Sequence, residues 1–153
     1  MQTKTKETSY FATPHVNLII ALEKSLEMIL KEGLDHHFER HKKVGIAMRS
    51  ALKALGLKLV FKNDEISANT LSAAFYPDQM NAVTFLKTIN EQGVILAGGL
   101  LPNLKDKYFR IGPMGSINQN DLLLTVGAIE KTLNKNQSQH DLGAGTKKIL
   151  ALY

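Results

Sequence analysis

The chain has 153 residues, of which 44% are apolar, 22% charged and 7% aromatic. That composition supports one modest hydrophobic core and excludes collagen, low-complexity disorder and a disulfide scaffold. Cysteine is absent, which removes thiolate metal sites and thiol nucleophiles, and 19 basic against 14 acidic side chains leave a mild net charge of +5.

Taken in chain order, Thr13-Pro14 reads as the start of a first helix, with threonine as N-cap and proline in the first turn. Val16, Ile19, Ile20, Leu22, Leu26, Ile29 and Leu30 cover a wide arc, which predicts a helix buried on more than one side. Gly33 breaks it. A second helix is predicted from about Leu34 to Leu55, with Leu34, His37, His41, Val44, Met48, Leu52 and Leu55 on one face. Lys42, Arg49 and Lys53 fall on the opposite, basic face. Alternation of Leu57, Leu59 and Phe61 predicts a strand, and Thr70–Tyr76 a second, with Leu71, Ala73 and Phe75 on one side. Asp78 is the expected cap of a helix carrying Ala82, Phe85, Leu86 and Ile89, which Gly93 ends. Val94–Ala97 reads as a short strand entering Gly98-Gly99, and Tyr108–Ile111 as another. Asn118 caps a last helix with Leu122, Val126, Ile129 and Leu133 inward. From Asn134 the chain turns polar and reads as a mobile tail, whose end, Lys147–Tyr153, could form a turn of helix. The expected fold is therefore α+β: a small antiparallel sheet with helices on one face, preceded by a long connecting helix. The expected divisions are 1–33, 34–134 and a tail, 135–153.

Arg110 is the most informative charge. In Tyr108-Phe109-Arg110-Ile111-Gly112, Phe109 and Ile111 face one way, Tyr108 and Arg110 the other. A planar guanidinium on a strand can hold a carboxylate through two parallel hydrogen bonds; a surface arginine paired with Asp or Glu is the competing reading. Gly98-Gly99 implies close backbone approach or a plain turn, and it is no phosphate loop, because GxGxxG and GKS/GKT patterns are absent. Tyr10 and Thr13 place hydroxyls just ahead of a helix start, where an anion is favoured, although on local evidence simple capping by Thr13 and packing by Tyr10 is the stronger reading. His37 and His41 stand one helical turn apart, but no third metal ligand accompanies them, so no metal is expected. GxSxG is absent, and aromatics are too scattered for base stacking.

In order, Tyr10-Phe11-Ala12-Thr13-Pro14, Lys31-Glu32-Gly33-Leu34, Arg40-His41, Gly93-Val94-Ile95-Leu96-Ala97-Gly98-Gly99 and Tyr108-Phe109-Arg110-Ile111-Gly112-Pro113-Met114-Gly115 resemble the C-terminal part of a class V, fold-type I, pyridoxal-phosphate-dependent aminotransferase. The likeness is greatest to the alanine–glyoxylate (serine–pyruvate) type and covers about residues 9–134. It implies that Arg110 holds the α-carboxylate of an amino-acid or 2-oxo-acid substrate. It further implies that Tyr10 and Thr13 reach the pyridoxal phosphate of a neighbouring subunit in a dimer, and that Gly98-Gly99 lies in the loop at the active-site mouth. The donor would be alanine or serine, the acceptor glyoxylate or another 2-oxo acid. In this family the Schiff-base lysine, the acid on the pyridine nitrogen and the aromatic stacked on the ring lie in an N-terminal cofactor domain that is not in this sequence. The chain alone is accordingly expected not to transaminate, and to self-associate or meet a partner cofactor domain. His15 stands where relatives often have proline.

Two other functions compete. One is a non-catalytic α+β interaction module; the other is nucleic-acid binding through Lys42, Arg49 and Lys53, which the lack of interleaved aromatics disfavours. No apolar run approaches the roughly 18 residues that cross a bilayer, and Met1–Thr8 is no secretory signal. Cytoplasm or an organelle matrix, mitochondrial or peroxisomal, is the expected compartment, although Ala151-Leu152-Tyr153 is no SKL-type signal.

Overall fold

A computed structural model describes residues 13–61, 63–136 and 140–153. The chain divides into two compact units, Met1–His37 and Phe38–Tyr153.

The first unit holds helix α1, Val16–Glu32. Thr13 is not its cap: the N-cap is His15, whose carbonyl accepts from Leu18 and Ile19 N–H and so begins the helical ladder. Pro14 lies outside the helix and receives a tight bond from Val16 N–H. At the other end Gly33, at φ +86°, donates to the Ile29 and Leu30 carbonyls. That left-handed angle is cheap only for glycine. The apolar arc expected to be buried is instead exposed, and no residue of α1 is buried. A helix apolar around most of its girth needs cover on several sides. The described part of its own unit supplies no second layer.

Helix α2, Leu34–Ala54, follows at once, and the division between the units falls within it. Its stretch from His41 onward buries Val44, Ala47, Met48, Ala51 and Leu52. The second unit then builds a three-stranded antiparallel sheet in the order β1-β3-β2: β1 is Ser72–Phe75, β2 Ala97–Gly98 and β3 Tyr108–Ile111. Register pairs Ala73 and Ala97 with Arg110, and Ala74 and Gly98 with Phe109. The expected strand at Leu57–Phe61 is reduced to a single bridge, Leu59 to Ala74, held by Val60 N–H to Ala73 O and Phe75 N–H to Lys58 O. Its alternation continues no further, and Phe61 is exposed.

Helix α3, Ala82–Glu91, is capped by Asn81, not Asp78: the Asn81 side chain accepts from Thr84 N–H. Asn81 sits directly before the first helical residue, whereas Asp78 falls in a turn closed by Met80 N–H to Pro77 O. Helix α4, Gln119–Lys135, has the expected Asn118 cap, completed as a capping box by Asp121. Phe85 of α3 stacks on Phe109 of β3 with centroids 4.6 Å apart, and Tyr76 meets Phe85 edge-on at 5.2 Å. Truncating either phenylalanine to alanine would cost about 3–5 kcal/mol.

Residues 135–153, expected as a mobile tail, contain a further helix, α5, Ala144–Leu150, packed on α4. The buried Glu130 carboxylate accepts from the N–H groups of Gly143, Gly145 and Thr146 at 3.2, 2.9 and 3.1 Å. Three otherwise unpaired donors at a helix start are thereby satisfied by one anion. Gly145 is required by space, since a Cβ there would stand 2.7 Å from Val126 Cγ1. Ile149 completes the contact and is fully buried.

Candidate functional site

The alternation of β3 sends Phe109 and Ile111 into the core and leaves Tyr108 and Arg110 on the other face of the sheet. Arg110 is half-buried and takes part in no ion pair among the described residues. Its Nε donates to the Gly98 carbonyl at 2.7 Å. That bond ties the base of the guanidinium to the neighbouring strand while both Nη groups stay without a described partner. An arginine so held presents its outer edge, the geometry that grips a carboxylate with two parallel bonds.

Gly98 meets Arg110 here, and of the glycine pair only Gly99 is held to its size by space. A Cβ on Gly98 would make only ordinary contact with Leu86 Cδ1 and the Tyr76 hydroxyl, at 3.7 and 3.8 Å. A Cβ on Gly99 would collide with the Tyr108 ring and lie 2.7 Å from the Lys105 carbonyl. Close backbone approach is thus the reason for the second glycine. Gly99 N–H itself donates to Lys105 O. Past it, the Tyr108 hydroxyl accepts from Leu100 and Leu101 N–H at 2.9 and 3.2 Å. These two donors hold the Tyr108 phenol below its ordinary value of 10.0. The sequence showed that Tyr108 shares a face with Arg110; it did not show that the phenol would gather the β2–β3 loop.

Downstream of Arg110 the chain turns at Gly112–Ile117. Arg40 Nη1 pins this turn by donating to the Gly115 carbonyl at 2.8 Å and the Ile117 carbonyl at 3.4 Å. Arg40-His41 contributed to the sequence resemblance, and the structure gives Arg40 a specific contact.

The other candidates have their own surroundings. Thr13 belongs to the first unit, where its hydroxyl has no described partner, and Tyr10 lies outside the described residues. His37 Nδ1 bonds Glu32 Oε2 at 2.8 Å, His41 is buried, and no group of three metal-ligating side chains occurs among the described residues. The basic face of α2 is not a free patch. Arg49 is buried and donates to Asp64 Oδ1 at 3.1 Å and to the Ala68 carbonyl at 3.0 Å. Lys53 also bonds Asp64, and Lys42 pairs with Glu39 at 3.6 Å. The 63–68 segment folds over Arg49, which no helical projection of α2 reveals. The Lys53 and Arg49 charges hold the Asp64 carboxyl below its ordinary 3.8, the Lys53 hydrogen bond contributing most. A cavity of about 570 Å³ lies between residues 55–58, 75–80 and 106–107, and Arg110 is not among its lining residues. No described helix is long and apolar enough to cross a membrane.

The α+β architecture matches the C-terminal domain of class V aminotransferases, the enzymes whose members use pyridoxal phosphate. Among solved structures, the pyridoxamine–pyruvate aminotransferase of Mesorhizobium loti superposes with a TM-score of 0.87 at 26% identity, over 95% of this chain and 38% of that one. The serine–glyoxylate aminotransferase of Methylorubrum extorquens is 32% identical over 145 residues, covering 94% of this chain and 36% of the relative. Alanine–glyoxylate aminotransferase 1 of Saccharomyces cerevisiae is 36% identical over 110 residues, 70% of this chain and 28% of its own length. No family model matches. The chain is thus homologous to serine– and alanine–glyoxylate aminotransferases over most of its residues. It spans about a third of the length of the curated relatives it matches.

Proposed function

We propose that this chain is the substrate-carboxylate-binding portion of a pyridoxal-phosphate-dependent aminotransferase, one that moves an amino group from alanine or serine to glyoxylate or another 2-oxo acid. The observation that carries the reading is the Arg110 fork: anchored at Nε by Gly98 O, without a partner at either Nη among the described residues, half-buried on a strand. A carboxylate is common to donor and acceptor, so one arginine can orient each in turn. Its contribution is positioning, not proton transfer.

The described residues do not by themselves fit the whole cofactor. Thr13 offers one hydroxyl for a phosphate oxygen, but the first amides of α1 are partly consumed by the Pro14 and His15 carbonyls. A complete site therefore needs a further cofactor-bearing domain, a second copy of the chain, or both. Tyr10 and Thr13 are the residues of this chain proposed to reach the phosphate, and Gly98-Gly99 to border the mouth of the site.

Two measurements test this. The purified chain given pyridoxal phosphate, alanine and glyoxylate should form no glycine; turnover would refute the need for another domain. In the enzyme assembled with its cofactor domain, Arg110→Ala should raise KM for every α-carboxylate substrate about 100-fold, the worth of a bidentate charged pair. Unchanged KM values would remove the role from Arg110.

A further inference from the structure

We propose that Tyr108 is the positioning residue of the Arg110 fork, acting through the β2–β3 loop; this rests on the carboxylate-binding reading of Arg110. The path is short and each bond in it is identified. The Tyr108 oxygen accepts from Leu100 and Leu101 N–H, which fastens the start of the loop. Its ring lies against Gly99, at a spacing that admits no Cβ there. Gly99 N–H to Lys105 O closes the loop back toward β3. The peptide immediately before Gly99 carries the Gly98 carbonyl, and that carbonyl receives Arg110 Nε.

The clamp and the fork therefore share one backbone segment, 98–101, and one strand face. Strand β2 is only two residues long, so the sheet ladder alone gives the Gly98 carbonyl little restraint. Its pairing with β3 ends at Gly98–Phe109. Beyond that point the Tyr108 oxygen takes over as the acceptor that a longer β strand would otherwise supply. A guanidinium can rotate freely about its stem unless Nε is engaged, and a preorganised fork binds a carboxylate with less entropy lost. Tyr108 does not need to touch the substrate to affect its affinity.

Tyr108→Phe is the discriminating variant, because it keeps the ring against Gly99 and removes only the acceptor oxygen. Hydrogen exchange of the full chain, followed by NMR, should show the Leu100 and Leu101 amides and the Arg110 Nε–H exchanging about tenfold faster. The Phe109 amide, in the sheet, should keep its rate. Pyruvate, used as the carboxylate probe, should bind about three- to tenfold more weakly. An unchanged Arg110 Nε–H rate would overturn the proposal. So would equal loosening of the Phe109 amide, which would make Tyr108 a general structural residue. Gly99→Ala, which displaces the Tyr108 ring and its hydroxyl together, should loosen the same three groups; protection of all three in that variant would also overturn the proposal. Failure of the unsubstituted enzyme, assembled with its cofactor domain, to shift its Arg110 signals with pyruvate would sink the carboxylate reading instead, leaving the exchange result to decide the positioning role.

Discussion

Two arginines of the second unit meet opposite fates. Arg49, on α2, is covered by the 63–68 segment and neutralised by Asp64, with its remaining bond going to a backbone carbonyl. Arg110, on β3, gives only Nε to the protein and has no anion beside it among the described residues. Burying a guanidinium without a counter-charge is costly, so the fold provides one where the residue serves stability. Where none is provided and the side chain remains half open, an anion from solution can take the place. The difference lies in what the neighbouring backbone brings, since both arginines sit on regular elements.

The sharpest way to break this contrast is to substitute each arginine in turn. Arg110→Met should abolish the pyruvate-induced NMR shift, an affinity loss of about 100-fold. It should lower the unfolding free energy in urea melts by about 0.5–1 kcal/mol, because only the Gly98 carbonyl loses a donor. Arg49→Met should do the reverse, lowering unfolding free energy by about 1–2 kcal/mol in urea melts while leaving pyruvate affinity intact. If Arg110→Met destabilised as much as Arg49→Met, the two sites would not differ in kind. The smallest effect is expected from pH. Asp64 has a lowered folded value, so its contribution is present above the ordinary 3.8 and disappears as pH falls below it. The carboxylate is about half exposed, with 52% of its side-chain surface open, which limits the effect to less than about 1 kcal/mol. Comparing the acid limb of the stability curve with that of Asp64→Asn should show the loss only when the carboxylate is present.

The same contrast explains which parts of the molecule were legible in its sequence. Strand β3 and the Asn118 cap are written locally, by alternation and by a side chain reaching three residues onward. The α2 boundary is written by Gly33. The burial of Arg49 is not written locally, because its partner lies 15 residues away on a segment with no periodicity. Helix α5 was read as tail because glycines and polar residues dominate 134–146; only a buried glutamate on another helix makes those amides satisfiable. At the candidate site, the strand pattern pointed to Arg110 and the paired glycines to close approach. The bond from Nε to Gly98 and the phenol's grip on the loop depend on cross-strand register, which a single chain's pattern leaves open.

The narrowness of the sheet has one more effect. With β3 in the middle, one border is the dipeptide Ala97-Gly98, and the other is partly occupied by Lys58–Val60. Neither rim offers the long row of free amides and carbonyls on which a foreign strand can crystallise. Fibrillar stacking through this layer thus lacks a template, which leaves scattered greasy side chains, those of α1 among them, as the contacts through which the isolated polypeptide would stick.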